Sequence, residues 1–306
     1  MPEITGTELR HEIKITESPR DAWQGIDFFI PTEKKVQYLK KILGLGFEIL
    51  DAGSFVSPKW IPQTRDTSLV LKQIRKAWEN SPTQLLAIVV NEQGARQAKK
   101  HPELSYIGYP LSVSEIFQQR NTKKNIHEAY QVLKRVRDII LPSQEMVVYL
   151  SMAFGNPYQE SYHPTQVLEH ITKLRSLSFE HLSLADTQGL ASLKDIQTLL
   201  KMVKKHVGLQ KLSMHLHARS QDAEEKIKTL YELGTQHFEG SLGGYGGCPF
   251  ADDHLVGNLP TEKILKFLRS EGKRKTPDHT ALNASLRQSH QLFSEFDPNI
   301  KDRGES

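Results

Sequence analysis

One cysteine, Cys248, is all that the 306-residue chain contains, so no internal disulfide can form. Disulfides persist mainly in oxidising compartments, and their exclusion favours a cytoplasmic protein. Long apolar runs are missing too: none approaches the roughly 20 residues of a membrane span, and the first residues lack the basic and apolar segments of a secretory signal. We therefore expect no membrane partner.

A strong excess of charge is also missing, since the formal net charge at pH 7 is only +4. There is no arginine-rich arm and no alternation of aromatic and basic residues, so we expect no nucleic-acid partner. Basic pairs at 99–100, 123–124 and 204–205 are interpreted as solvated helix faces, with a rim that attracts an anionic substrate as the alternative. A hydrophobic content of 38% with 25% charged residues is typical of a globular chain.

Short apolar or alternating segments recur along the chain, and each is followed by a longer amphipathic stretch. This is the pattern of repeated βα units. Eight such units predict a closed α/β barrel, a (β/α)₈ TIM barrel, with an open doubly wound sheet as the alternative. The eight predicted strands are residues 13–16, 47–51, 85–90, 106–110, 146–151, 181–184, 212–216 and 237–241.

Amphipathic helices are predicted between these strands and after the last of them. Gly44, Gly208 and Gly234 follow predicted helices, where a left-handed C-cap favours glycine. The barrel is assigned to residues 1–258, and residues 259–306 to a helical extension packed on it, with a frayed tail. The predicted helices are residues 33–43, 67–78, 125–140, 164–176, 193–206, 223–233, 262–269 and 278–293.

Polar side chains follow several predicted strands, at the rim where parallel barrels place catalytic groups. His215 and His217 lie two residues apart in a strand, so both rings point to one face and can share an ion; the alternative is two exposed histidines without a common role. With Asp21 they form a nitrogen and oxygen set that suits Mg²⁺, Mn²⁺ or Zn²⁺. Arg20 is either a loop ion pair or a cation that stabilises an enolate oxygen.

Six stretches, in order, resemble the 3-hydroxy-3-methylglutaryl-CoA lyase family, within the wider group of metal-dependent TIM-barrel lyases and Claisen-type synthases. The resemblance covers nearly the whole barrel, and its second and last stretches are the most specific, because the synthase relatives lack them together. The stretches are ESPRDAWQ at 17–24, GSFVSPKWIPQ at 53–63, SEIFQQRN at 114–121, LADTQG at 184–189, HLH at 215–217 and GGCPFADDHLVGNLPTE at 246–262.

This resemblance implies a (β/α)₈ barrel that cleaves 3-hydroxy-3-methylglutaryl-CoA to acetyl-CoA and acetoacetate with a divalent cation, Mg²⁺ or Mn²⁺. The motifs make Asp21, His215, His217 and Asn258 the metal ligands. They make Arg20 the cation that steadies the thioester enolate, and His215 is also expected to take part in proton transfer. An acyl-CoA substrate, a homodimer and a place in leucine breakdown follow from the family alone.

Further site residues come from the same motifs. Gln24 and Asp186 fall in stretches that line the site, and Asn121 belongs to one that either binds coenzyme A or forms a helix with a solvated basic face. Cys248 matches the cysteine of a flexible glycine-rich loop, against the alternative of an inert buried thiol. Asp51 stands where the family usually has glutamate, so a catalytic carboxylate is kept with a shorter reach.

Residues 218–220 read Ala-Arg-Ser where the family typically has Asp-Thr-Tyr, so a carboxylate that could orient a ligand histidine is missing. Two alternatives to the lyase remain. One is a Claisen-type synthase that condenses acetyl-CoA with a 2-oxo acid, although the chain after the barrel is too short for the regulatory domain that synthases often carry. The other is a degenerate barrel that binds an acyl-CoA without catalysis.

Overall fold

Eight parallel strands, each hydrogen-bonded to the next, close into a barrel in the computed structural model, which describes residues 13–246, 256–275 and 277–296. The last strand returns to the first in a register that runs from Lys14 opposite His237 to Glu17 opposite Gly240. This closure confirms the predicted barrel and excludes the open sheet. The strands are β1 Lys14–Glu17, β2 Ile49–Ser54, β3 Gln84–Ile88, β4 Leu104–Ser112, β5 Glu145–Ser151, β6 His181–Asp186, β7 Leu212–Leu216 and β8 His237–Gly240.

Helices alternate with the strands, and all those predicted from the sequence are present. Two short helices, α1 and α4, were not predicted, because six or seven residues are too few to establish a helical period. The short helix α5 was predicted only as one of two alternatives for residues 114–121. None of the helices in the described part of the chain is long and apolar enough to cross a membrane. The helices are α1 Pro19–Gln24, α2 Thr32–Leu43, α3 Thr67–Trp78, α4 Glu92–Ala98, α5 Glu115–Thr122, α6 Ile126–Ile139, α7 Pro164–Ser176, α8 Leu193–His206, α9 Ala223–Leu233, α10 Thr261–Ser270 and α11 His279–Phe296.

The prediction for the glycines after helices is correct at two positions and wrong at one. Gly208 and Gly234 have φ values of +73° and +99°, in the left-handed region that glycine adopts without strain. Gly44 instead has a right-handed conformation with φ −69°, and the chain reverses two residues later at Gly46, where φ is +68°. After α2 ends at Leu43, the chain therefore makes one further turn over residues 44–46, and the left-handed conformation falls on Gly46.

The barrel interior is filled with side chains. Ile49, Leu86, Tyr106, Val147 and Tyr149 pack together there and surround a void of only about 20 Å³. The outer strand faces form a second, larger core with the surrounding helices. Because the interior is packed, a ligand must bind at an end of the barrel rather than within it.

The two helices after the barrel pack on its outside, α10 beside α9 and α11 beside α2. From α11, Phe293 stacks on Tyr245 with ring centroids 4.2 Å apart, which ties this helix to the segment that follows β8. The predicted frayed tail at 302–306 lies outside the described residues.

Candidate active site

Three buried side chains that can bind a metal meet at the carboxyl ends of the strands. His215 lies in β7, His217 directly follows it, and Asp21 lies in α1 just after β1. The Nε2 atoms of the two imidazoles are 3.3 Å apart, and they lie 3.8 Å and 3.7 Å from Oδ2 of Asp21. One ligand atom of each residue lies within 4.8 Å of the others, so a single cation can contact all three.

Asn258 reaches this cluster because the chain returns over the end of β7. Ala218 N donates to the carbonyl of Gly257, and an isolated antiparallel β-bridge places Asn258 opposite His217. Asn258 Nδ2 donates to Oδ2 of Asp21 at 3.0 Å, whereas its Oδ1 is buried and has no hydrogen-bond partner in the described part of the chain. An unpaired buried oxygen beside a carboxylate is the kind of atom that a bound cation satisfies.

Arg20 lies beside the cluster and makes a network of ion pairs. Its Nη2 lies 2.6 Å and its Nε 3.0 Å from Oδ2 of Asp51, and its Nη1 donates to Asp21 at 3.2 Å and to Gln24 at 2.7 Å. Both Arg20 and Asp21 were expected on a loop but lie in α1, where Pro19 at the first helical position favours the helix. The guanidinium is thus held in one orientation by three partners.

The charges in the cluster shift one another's pKa values. Burial raises the pKa of Asp21, but the hydrogen bond with His217 and the charge of Arg20 outweigh burial, and the net pKa lies well below its ordinary value. Burial also raises the pKa of Asp51, to about 6, with Arg20 opposing the rise. Asp21 is therefore ionised at neutral pH, as a metal ligand must be.

A cavity of about 480 Å³ opens at this end of the barrel. This volume is within the range of about 300 to 1,000 Å³ that is usual for small-molecule sites. Three of the four predicted metal ligands, with Arg20 and Gln24, line the same space as the predicted coenzyme A stretch and the lysines that follow it, whereas Asn258 is not among the described residues of the lining. Residues of the two groups that line it are Arg20, Asp21, Gln24, His215 and His217, and Arg120, Asn121, Lys123 and Lys124.

The HMGL-like family matches residues 12–289 of the chain. The chain belongs to this family. Mitochondrial hydroxymethylglutaryl-CoA lyase of Mus musculus is 31% identical over 283 residues, which cover 90% of this chain and 82% of the mouse protein. Hydroxymethylglutaryl-CoA lyase YngG of Bacillus subtilis is 32% identical over 251 residues, 82% of each protein.

The crystal structure of the HMG-CoA lyase of Bacillus subtilis superposes with a TM-score of 0.84 at 28% identity, and covers 93% of this chain and 94% of that one. The similarity to lyases therefore extends over the barrel and the helices that follow it. This HMGL-like chain is an HMG-CoA lyase-like enzyme.

Not every predicted site residue of this HMGL-like chain faces the cavity. The carboxylate of Asp186 accepts hydrogen bonds from the backbone amides of Leu190 and Ala191, and lies 3.3 Å from Nζ of Lys226. Asp186 therefore stabilises the loop after β6 through its backbone amides. It is not one of the described residues that line the cavity. Asp51 lies behind Arg20, also away from the lining, while Cys248 falls outside the described residues.

Two buried charged residues near the site were not among the predicted ones. Glu239, 2% exposed, lies in β8 with Oε2 3.3 Å from Nδ1 of His215. Lys226, 4% exposed, lies in α9 and donates to the carbonyl of His217 at 3.0 Å. Lys226 left a signal in the sequence, because it occupies the apolar face of an amphipathic helix, three residues after Ala223. Glu239 left none, because its strand reads His-Phe-Glu-Gly and has no apolar pattern to interrupt.

Proposed function

We propose that this chain is a divalent-metal-dependent carbon-carbon lyase that cleaves 3-hydroxy-3-methylglutaryl-CoA to acetyl-CoA and acetoacetate. The observation that carries the proposal is the convergence of Asp21, His215 and His217 on the wall of a 480 Å³ cavity in a member of the HMGL-like family. Relatives named hydroxymethylglutaryl-CoA lyase that match over 82% to 90% of this chain support the substrate.

The residues present fit a divalent cation. Asp21, His215 and His217 would hold Mg²⁺ or Mn²⁺, with Oδ1 of Asn258, which no described residue hydrogen-bonds, as a fourth ligand. When bound, the cation would polarise the C3 hydroxyl of the substrate and orient the substrate for cleavage. The absence of a cysteine from this set argues against a structural zinc site.

Breaking the bond between C2 and C3 requires removal of the hydroxyl proton and stabilisation of the departing enolate. Arg20 is suited to the second task, because it is permanently charged, lines the cavity and is held by its contacts with Asp51. Gln24 is hydrogen-bonded to both Arg20 and Asp21 and keeps these two side chains in fixed positions relative to each other. His215 is assigned a shared role as ligand and proton-transfer group, with a bound water carrying the proton because the ring nitrogens are engaged.

The other end of the cavity is suited to the coenzyme A part of the substrate. Arg120, Lys123 and Lys124 supply positive charge to its lining, which complements phosphate groups, and Asn121 supplies an amide for the pantetheine chain. We assign Cys248 to proton delivery at the enolate carbon on its motif alone, and Asp186 to support of the site rather than to substrate contact. The single cysteine favours a cytoplasmic location. The family resemblance favours a homodimer.

The reaction is tested by incubating the purified chain with Mg²⁺ and 3-hydroxy-3-methylglutaryl-CoA. Equal amounts of acetoacetate and acetyl-CoA are expected, with activity lost on chelation and restored by Mg²⁺ or Mn²⁺. Arg20→Gln should lower kcat by about 10²- to 10³-fold, as loss of an oxyanion-stabilising donor does in other enzymes. Arg75→Gln is the matched control, since Arg75 pairs with Glu79 on the exposed face of α3.

Folded, metal-binding protein that yields no acetoacetate would refute the lyase. Thiol release from acetyl-CoA that requires a 2-oxo acid would favour the synthase instead.

A further inference from the structure

The pairing of β7 with β8 places His215 directly opposite Glu239. Residues that are opposite in neighbouring strands point to the same side of a sheet, so the imidazole and the carboxylate meet in the barrel interior. His215 Nδ1 lies 3.3 Å from Glu239 Oε2, and both atoms are buried without a hydrogen-bond partner among the described residues. Each atom is therefore available to the other.

The other carboxylate oxygen of Glu239 is fully engaged. Its Oε1 accepts hydrogen bonds from Oγ of Ser183 at 2.7 Å and Oγ of Ser213 at 2.5 Å. These two hydroxyls come from β6 and β7, so the carboxylate is anchored on neighbouring strands and turned with its free oxygen toward His215. No arginine or lysine of the described residues forms an ion pair with Glu239, and a buried carboxylate without such a partner is costly, which points to a functional reason for keeping it.

We propose that Glu239 is a positioning residue for the metal centre: it accepts a hydrogen bond from Nδ1 of His215 and so keeps Nε2 free to bind the cation. The inference rests on the proposed metal-dependent function. A histidine that donates one ring nitrogen to a carboxylate presents the other as a metal ligand in a fixed orientation. Nε2 of His215 is the atom that faces Asp21 and His217.

Glu239 thus supplies, from β8, the orienting carboxylate that is missing at Ala218 after the histidine pair. Ala218 is buried and offers no polar side-chain atom. The support for the metal centre in this chain comes from the neighbouring strand rather than from the loop that follows the histidines.

The test compares Mn²⁺ binding to the metal-free wild-type protein and to metal-free Glu239→Gln. Electron paramagnetic resonance of the free Mn²⁺ measures the binding. The amide of glutamine donates to Nδ1, which moves the ring proton to Nε2 and blocks the ligand atom, so affinity should fall by about 10- to 100-fold. Glu239→Asp keeps the charge and should recover part of the loss. Glu103→Gln is the matched control. Glu103 also pairs with a histidine, His101, at 2.9 Å, but neither residue of this pair lines the cavity.

A double-mutant cycle separates positioning from a general structural role. In a His215→Ala background, Glu239→Gln should cause no further loss of Mn²⁺ affinity, and an equal loss there would overturn the inference. Wild-type affinity in folded Glu239→Gln would overturn it as well. Should that variant not fold, nitrogen-15 NMR of the Mg²⁺-loaded wild type decides, with a proton on Nδ1 of His215 expected and one on Nε2 contradicting it.

These outcomes distinguish the inference from the function on which it rests. Wild-type protein that binds no Mn²⁺ refutes the metal site and the inference together. Wild-type binding with an unaffected Glu239→Gln variant leaves the proposed lyase standing and removes only the role of Glu239.

Discussion

At position 226 a lysine occupies a place in α9 where the helical pattern calls for an apolar residue. Its ammonium group lies 3.3 Å from Oδ2 of Asp186 and 3.0 Å from the carbonyl of His217, so it links the loop after β6 to the end of β7. Burial raises the pKa of Asp186, while the charge of Lys226 opposes the rise. One side chain therefore neutralises a buried carboxylate and fixes the backbone of a proposed metal ligand.

Replacement of Lys226 by methionine should lower the free energy of unfolding by about 3 to 5 kcal/mol, because Asp186 is left buried and unpaired. Urea unfolding measures the change. Lys228→Met is the control in the same helix: Lys228 pairs with Glu232 on the exposed face at 3.8 Å, and loss of an exposed pair costs about 0 to 1 kcal/mol. Equal effects of the two substitutions would show that burial of the Lys226 pair does not matter.

Among the elements, the segment that returns from β8 to α10 decides where Asn258 lies. Leu259 N donates to the carbonyl of Leu216, so this segment pairs with the end of β7. Gly246 packs against the amide of Asn258: a Cβ at this position would lie 2.3 Å from Asn258 Nδ2, and its φ is +126°. Only glycine combines that backbone conformation with such close contact.

Gly246→Ala should therefore displace the Asn258 amide and weaken Mn²⁺ binding by about tenfold or more, equivalent to about 1.4 kcal/mol. Titration of metal-free protein measures the effect. Gly155→Ala carries the same backbone cost, since Gly155 has φ +124°, but nothing lies within 4 Å of its Cβ. If both variants bind Mn²⁺ equally well, close contact at Gly246 does not position Asn258.

On the scale of the whole molecule, Glu17 holds together the place where the barrel closes. Its Oε1 accepts from Leu242 N at 2.8 Å and its Oε2 from Oγ1 of Thr261 at 2.6 Å, which joins β1 to the segments after β8. Burial raises the pKa of Glu17 to about 8. The folded protein therefore keeps a proton on this group at pH values at which the unfolded chain has lost it.

The sign of the pH dependence follows from this difference. The unfolded pKa is near 4.5, so the stability contributed by Glu17 is fully present below that pH and is lost as pH rises toward 8. The loss is at most about 1.4 kcal/mol per pH unit for one group. Urea unfolding at pH 5, 6.5 and 8 should show Glu17→Gln becoming progressively more stable relative to wild type.

Glu33→Gln, at an exposed position of α2, should keep a constant difference from wild type. A constant difference for Glu17→Gln as well would contradict the expected shift.

The order of the strands and the longer helices follows from the amino-acid sequence, because the two-residue and 3.6-residue periodicities are local. It also placed His215 and His217 on one face, since residues two positions apart in an extended strand point to the same side. The helix at Arg20 and Asp21 was not predicted, because six residues carry too little pattern.

Which distant groups meet depends on the closed barrel and not on local sequence. Asn258 contacts Asp21 across 237 residues because the barrel closes and the chain returns over β7. Glu239 faces His215 because of the register between β7 and β8, and Asp186 turns away from the cavity because Lys226 and the loop amides hold it. Local sequence fixes which way a side chain leaves its own strand, whereas its partner depends on the packing of the complete barrel.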